Sequence, residues 1–255
     1  MRISLDIRKS LEENAASYFE KAKKDKKKIE GAKRIVEEYR KKLSVLEEEK
    51  AEKKAVIKPL VKKEWYEKFR WFISSDGFLV IGGRDATTNE VIIKKYTDKD
   101  DLVFHTEAPG SPFVVVKREG KAGDIPANTL EEAAIFTATF SKAWKQGMST
   151  LPVFCVNPGQ VSKQTKAGEY ITKGAFMIYG EKEFYNQGMS YAVGLYQGRV
   201  MGGPLSAVRK HCKVFVEVIQ GDEKLSDVAK QVQRMIGGEL DDIMRVLPPG
   251  CKLKS

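Results

Sequence analysis

The stretch Trp65 to Glu90, WYEKFRWFISSDGFLVIGGRDATTNE, decides how the chain is read, because a long charged segment ends there and compact sequence begins. Trp65, Phe69 and Phe72, flanked by Tyr66, recur at steps of three and four, which predicts a helix with one buried side. Ser74-Ser75-Asp76-Gly77 then breaks the helix. Phe78-Leu79-Val80-Ile81 reads as a buried strand running into the loop Gly82-Gly83-Arg84-Asp85-Ala86. Two glycines let the backbone turn tightly and set a guanidinium beside a carboxylate at a strand end. Arg84 and Asp85 read either as an internal ion pair or as part of a binding loop.

Upstream, Leu11, Ala15, Tyr18, Ala22, Ile29, Ala32, Val36, Tyr39, Leu43 and Leu46 form the seam of a coiled coil. Ser10 and Glu13 make a capping box at its start, while Asp25 and Gly31 weaken or bend it. One amphipathic helix cannot bury its stripe alone. It needs either a returning helix through Ala55 to Phe72, bent or delayed by Pro59, or a helix of another chain, which makes a homodimer possible.

Downstream, Val91-Ile92-Ile93 reads as a strand ending at Lys94-Lys95. Leu102–His105, Phe113–Val116, Val153–Val156 and Phe176–Tyr179 read as further strands. Thr129 opens a helix running to Lys145 and stopped by Gly147. Val200–Pro204 reads as a turn, His211–Ile219 as a strand and Ser226–Ile236 as a helix, and Leu247–Gly250 ends the fold. Strands broken by one long helix, without βαβ alternation, give an α+β class: a coiled-coil arm, then a mixed, mostly antiparallel sheet with packed helices. The expected domains are the arm at 1–64, the sheet domain at 65–196 and a small βα extension at 197–255 packed on the same sheet.

The 255 residues carry a formal charge of +10. Residues 1–64 hold 20 Lys/Arg against 13 Asp/Glu, so the positive field projects mainly from the arm and favours a polyanion. On its charges alone the run Lys21–Arg34 is a solvated helix face. Three cysteines, Cys155, Cys212 and Cys251, show no paired spacing, so neither disulfides nor zinc are expected and a cytoplasmic location is. No apolar run is long enough to span a membrane.

Catalytic chemistry is thinly supplied. His105 and His211 are the only histidines and share no metal-ligand spacing, so no enzyme activity, cofactor or metal is expected. Binding groups are plentiful: Arg84, Asp85, Lys94, Lys95, His105, Lys117, Gln160, Ser162, Lys163 and Tyr170 fall in loops or at strand ends. Their mixture of cations and rings suits RNA. Trp65, Trp71, Phe72 and Trp144 are read as core, and Gln160–Tyr170 reads either as a contact loop or as a loop closed on itself.

The quoted stretch resembles the opening of the NFACT-R domain of the NEMF family of ribosome quality-control factors. The resemblance continues in order through Phe104-His105 before Gly110, Ile125-Pro126 with Thr129-Leu130, Ala143-Trp144, Gln160–Lys163, Gly168-Glu169-Tyr170 and Gly174 with Phe176–Ile178. Gly203-Pro204 looks like the archaeal branch. It departs at His105-Thr106-Glu107, where the family reads His-Ala-Asp, and at Lys145, where an acidic residue is usual. The resemblance implies an RNA-binding module that meets tRNA or rRNA on the obstructed large ribosomal subunit and supports tailing of stalled chains. It also implies a larger N-terminal NFACT-N region beyond this sequence. It turns the basic face at Lys23, Lys24, Lys26, Lys27 and Lys28 from a solvated surface into a phosphate-binding one. Two other functions compete: a coiled-coil adaptor that binds only protein, and a fibronectin-binding type of adhesion protein.

Overall fold

The computed structural model describes residues 3–55, 63–163 and 172–254, with side chains up to residue 43 in the first segment. The chain divides into two compact units, Met1–Leu60 and Val61–Ser255.

The first unit is one helix, α1 (Leu11–Ala55), unbroken through Asp25 and Gly31. The capping box forms as expected: Glu13 N–H donates to Ser10 Oγ at 3.1 Å and Ser10 N–H to Glu13 Oε2 at 2.8 Å. Leu11, Tyr18, Ile29, Val36, Tyr39 and Leu43 on the seam are exposed.

The second unit contains β1 (Arg70–Ile73), β2 (Leu79–Gly82), α2 (Ala86–Lys95), β3 (Leu102–Thr106), β4 (Val114–Lys117), α3 (Ala127–Thr139), α4 (Lys142–Lys145), β5 (Val153–Val156), β6 (Val161–Ser162), β7 (Met177–Ile178) and β8 (Glu183–Tyr185). It continues with β9 (Tyr191–Tyr196), β10 (Arg199–Gly203), α5 (Leu205–His211), β11 (Phe215–Gln220), α6 (Leu225–Ile236), α7 (Leu240–Val246) and β12 (Cys251–Leu253). A six-stranded sheet runs β1-β2-β4-β3-β5-β8 and a four-stranded sheet β10-β9-β11-β12, with every pairing antiparallel. This is the α+β class the sequence predicts.

Several local expectations are corrected. The helix expected through Phe72 is instead a 3-10 turn, Trp65–Lys68, followed by β1; of the proposed returning helix, residues 56–62 lie outside the described residues. Ser74–Gly77 joins two paired strands rather than ending a helix. It is tied down by Ser74 Oγ to Thr129 Oγ1 at 2.9 Å and by Ser75 N–H to Glu132 Oε2 at 2.8 Å. Val91-Ile92-Ile93 is helical, because Asp85 and Thr88 cap α2 and Ile92 fills the core beneath it. The long helix from Thr129 stops at Thr139, where Ser141 accepts from Ala143 N–H at 3.1 Å and starts α4 afresh.

The expected turn at 200–204 is strand β10, whose glycines admit neighbours. A Cβ on Gly203 would lie 2.8 Å from Phe72 Cβ. His211 ends α5 rather than starting a strand, and after Leu247–Gly250 the chain adds β12 beside β11. The strands from Tyr191 onward thus form their own sheet rather than extending the first, and the division at 196/197 falls inside the β9–β10 hairpin. Both sheets share one apolar core, in which Phe72, Phe136 and Tyr191 meet.

Candidate nucleic-acid interface

The end of β2 and the start of α2 build one wall of a cleft of about 410 Å³. Gly83 is there because Asn89 comes so close: a Cβ would fall 1.8 Å from Asn89 Oδ1, which accepts from Phe113 N–H at 3.1 Å. The next residue, Arg84, is oriented by its own backbone N–H to Thr88 Oγ1 at 2.8 Å and by its Nη2 to Phe69 O at 3.0 Å. Asp85 then caps α2, accepting from Thr88 N–H at 2.8 Å. That hydrogen bond is the main reason its carboxyl is held below the ordinary range.

Arg70, which the sequence reading left out, completes the cationic floor. Its guanidinium lies over the Phe140 ring at 4.3 Å and donates to Gly83 O. Burial, and then the neighbouring Arg84, push Arg70 down to about 10. Burial and then Arg245 lower Arg84. Both Nε groups are buried without a partner, and among the described residues neither guanidinium has a carboxylate within 4.0 Å. Two guanidiniums in one cleft with no carboxylate bonded to either make a site that favours an anion.

His105, on β3, lines the same cleft, its ring stacked on Phe113 at 4.2 Å and 24°. Burial lowers its pKa, so it is a neutral ring at pH 7 that can stack or hydrogen-bond but adds no charge. Lys173 and Gly174 also line it, Gly174 so near the start of α2 that a Cβ would lie 2.5 Å from Ala86 Cα. On the flank, Lys94 and Lys163 meet around Glu90, with Nζ–Oε distances of 2.6 and 3.3 Å, and Lys163 also lies over Phe176 at 5.0 Å. Lys95 is exposed on the last turn of α2.

Other expected residues lie elsewhere. Lys117 is 5% exposed and points inward to Asp101, Asp98 (2.7 Å) and Tyr96 O (2.9 Å), so it is not a surface cation. It ends a strand whose burial pattern admits no exposed position, and the inward aspartates compensate it. Gln160 spends its amide within its own loop, donating to Tyr179 O and Glu181 O at 2.8 Å each and accepting from Asn157 N–H at 2.9 Å. Gln160 is thus spent on the backbone around it, and residues 164–170 of the expected loop lie outside the described residues. Ser162 is half-buried on β6, and Tyr170 lies outside the described residues. Lys23, Lys24, Lys26, Lys27 and Lys28 are exposed on α1 in the other unit. Trp65, expected in the core, is 41% exposed. Arg70 was missed because a helical reading of Trp65–Phe72 hides the alternation of a strand, in which Arg70 precedes the buried Trp71.

Among the described residues no group of three or more His, Cys, Asp or Glu could hold a metal ion, and no helix is long and apolar enough to cross a membrane. Residues 68–180 match the NFACT protein RNA binding domain. The archaeal Rqc2 homolog aRqcH of Methanocaldococcus jannaschii is 44% identical over 208 residues, 77% of this chain and 31% of that protein. The human ribosome quality control complex subunit NEMF is 37% identical over 175 residues, 67% of this chain and 16% of that protein. A solved structure of the C-terminal of the fibronectin/fibrinogen-binding protein from Streptococcus suis is 20% identical over 70% of this chain and 76% of that one, at a TM-score of 0.40. That likeness is too weak to bear on fold or function. The chain spans about a third or less of the length of these two curated relatives. With the cleft lying inside the matched residues and the relatives agreeing, the chain belongs to the NFACT family and matches its C-terminal, RNA-binding part.

Proposed function

We propose that this chain is a non-catalytic RNA-binding module of a ribosome quality-control factor. In this reading Arg70 and Arg84 hold a backbone phosphate of tRNA or rRNA on the obstructed large ribosomal subunit, and His105 faces the adjoining sugar or base. The observation that carries the reading is the pair of guanidiniums in one cleft without a carboxylate partner. Tailing of the stalled chain is the work of the longer protein, with an NFACT-N region, in which this module acts in the cytoplasm. The relatives' names, and the share of their length left uncovered, support that part of the reading.

The arm adds a second grip. Lys23, Lys24, Lys26, Lys27 and Lys28 meet phosphates, while the exposed seam of α1 pairs with another helix, in a homodimer or in the rest of the protein. Filter binding of tRNA and of large-subunit rRNA fragments across a salt series tests the reading. Affinity should fall linearly in log K against log salt. Absence of binding at low ionic strength overturns it. A protein-only adaptor would keep its ribosome association when Lys26, Lys27 and Lys28 are changed to Glu.

A further inference from the structure

Three tryptophans divide sharply: Trp71 and Trp144 are 4% and 2% exposed, while Trp65 is 41% exposed. Among the three, Trp65 is the indole that a ligand can reach. Trp65 is also rigidly presented. Its ring lies flat against Tyr96, with centroids 5.0 Å apart and planes at 7°, and Tyr66 meets its edge at 5.7 Å and 81°. Lys68 sits over the Tyr96 ring at 4.0 Å, holding the backing ring in place from its own side chain.

Trp65 borders a second cleft, of about 340 Å³, rimmed by Lys63, Lys68 and Arg245 as well as Glu64, Glu67 and Asp242. Glu64 and Glu67 are already engaged by Arg199, at 3.2 and 3.0 Å, which leaves the cationic rim less compensated than its composition suggests. Phe69 links the two clefts: its ring meets Tyr96 edge-on at 5.3 Å and its carbonyl accepts from Arg84 Nη2 at 3.0 Å. A rigid aromatic face beside a line of cations is the arrangement by which proteins hold single strands: the ring takes a base and the cations take its phosphates.

We propose that Trp65, backed by Tyr96, is a stacking platform for one unpaired RNA base whose neighbouring phosphate lies toward Arg245 and Arg84. This rests on the RNA-binding reading above and adds a base-stacking site outside the phosphate cleft. The platform accepts any base, since every base has a π-face, so it contributes affinity for single-stranded over paired RNA rather than sequence preference.

The test uses the full chain with a 12-nucleotide oligo-U and an abasic strand of the same length, across a potassium chloride series. Trp65→Ala should weaken oligo-U binding about 5- to 100-fold and leave abasic-strand binding unchanged. Trp65→Phe, which keeps a ring on Tyr96, should retain most of the affinity and serves as the folded control. Oligo-U should quench tryptophan fluorescence in the wild type and not in Trp65→Phe, since the other two indoles are buried. Equal oligo-U affinity in wild type and Trp65→Ala overturns the platform while the phosphate cleft stands. Failure of the wild type to bind either strand overturns the RNA reading and the platform together.

Discussion

Lys163 Nζ reaches Glu90 Oε2 at 3.3 Å, across 73 residues of sequence, and meets Lys94 on the same carboxylate. The hydrogen bond from Lys94, then Lys163, holds the Glu90 carboxyl down at about 2, so the carboxylate stays charged and quiets both cations. Glu90→Gln removes that counter-charge and frees two lysines beside the phosphate cleft. RNA affinity at low salt should rise several-fold, with the log K against log salt slope steeper by about one to two. Filter binding reads both. An unchanged slope would mean that neither lysine faces the RNA.

Arg84→Gln should weaken RNA binding about ten-fold or more and flatten the salt slope by about one. Arg84→Lys keeps the charge but loses the planar fork, so it should fall between wild type and the Gln variant. A Lys variant as poor as Gln would argue that the guanidinium positions Phe69 O and the loop rather than a phosphate.

His105 gives a pH prediction of definite sign. Its folded pKa lies below the ordinary value of about 6.5 because the ring is buried, so the unfolded chain takes up a proton that the folded one resists. Its contribution to stability is therefore present above about pH 6.5 and is lost as pH falls toward the lower folded pKa. Urea midpoints from pH 7 to pH 5 should drop more steeply in wild type than in His105→Gln. RNA affinity, in turn, should not gain on acidification to pH 6 as it would from a titrating cation. Parallel pH profiles for the two proteins would remove His105 from this account.

The class of fold was legible because Leu79–Ile81, Val103–Phe104, Val114–Val116 and Val153–Val156 are short apolar, mostly β-branched runs, too short for helices, and all are buried. The family-bearing loop at Gly83-Arg84-Asp85 was legible as a site for the same local reason, its glycine and charges at a strand end. What misled were signals with two physical meanings. Val91-Ile92-Ile93 is β-branched and reads as strand, yet the Asp85 and Thr88 cap decides for helix. Gly202 and Gly203 read as turn punctuation, yet they admit Tyr191 and Phe72 to a strand. Lys117 left the expected binding set and Arg70 entered the cleft because burial is set by pairing across the sheet, which no local pattern records.

Glycine 83 and glycine 77 should separate close approach from backbone conformation. A Cβ on Gly83 would strike Asn89, displacing a side chain that satisfies Phe113 N–H, so Gly83→Ala should cost about 2 to 4 kcal/mol. Gly77 has φ of +83° and open space around it, so Gly77→Ala should cost only about 1 to 2 kcal/mol of backbone strain. Denaturant midpoints at constant m-value decide between them. Equal losses would deny Gly83 its packing role.

Lys117 offers the sharpest contrast between a structural and a binding cation. Its ammonium lies inside the sheet domain against Asp101, a carboxylate 1% exposed that also accepts from Arg118 N–H at 2.8 Å and Asp98 N–H at 2.7 Å. Lys117→Met strands that carboxylate without its cation, and breaking a buried pair in this way costs about 3 to 5 kcal/mol. Changing Asp101 to Asn in the same chain removes the stranded charge and should recover part of the loss, because the penalty resides in the unpaired ion rather than in the missing contact. RNA affinity per folded molecule should stay at the wild-type value in both variants, since the ammonium has no path to the surface cleft. Calorimetric melting combined with filter binding separates the two effects. A Lys117→Met protein that melts like wild type but binds RNA weakly would return this lysine to the interface and reverse the assignment drawn from its burial.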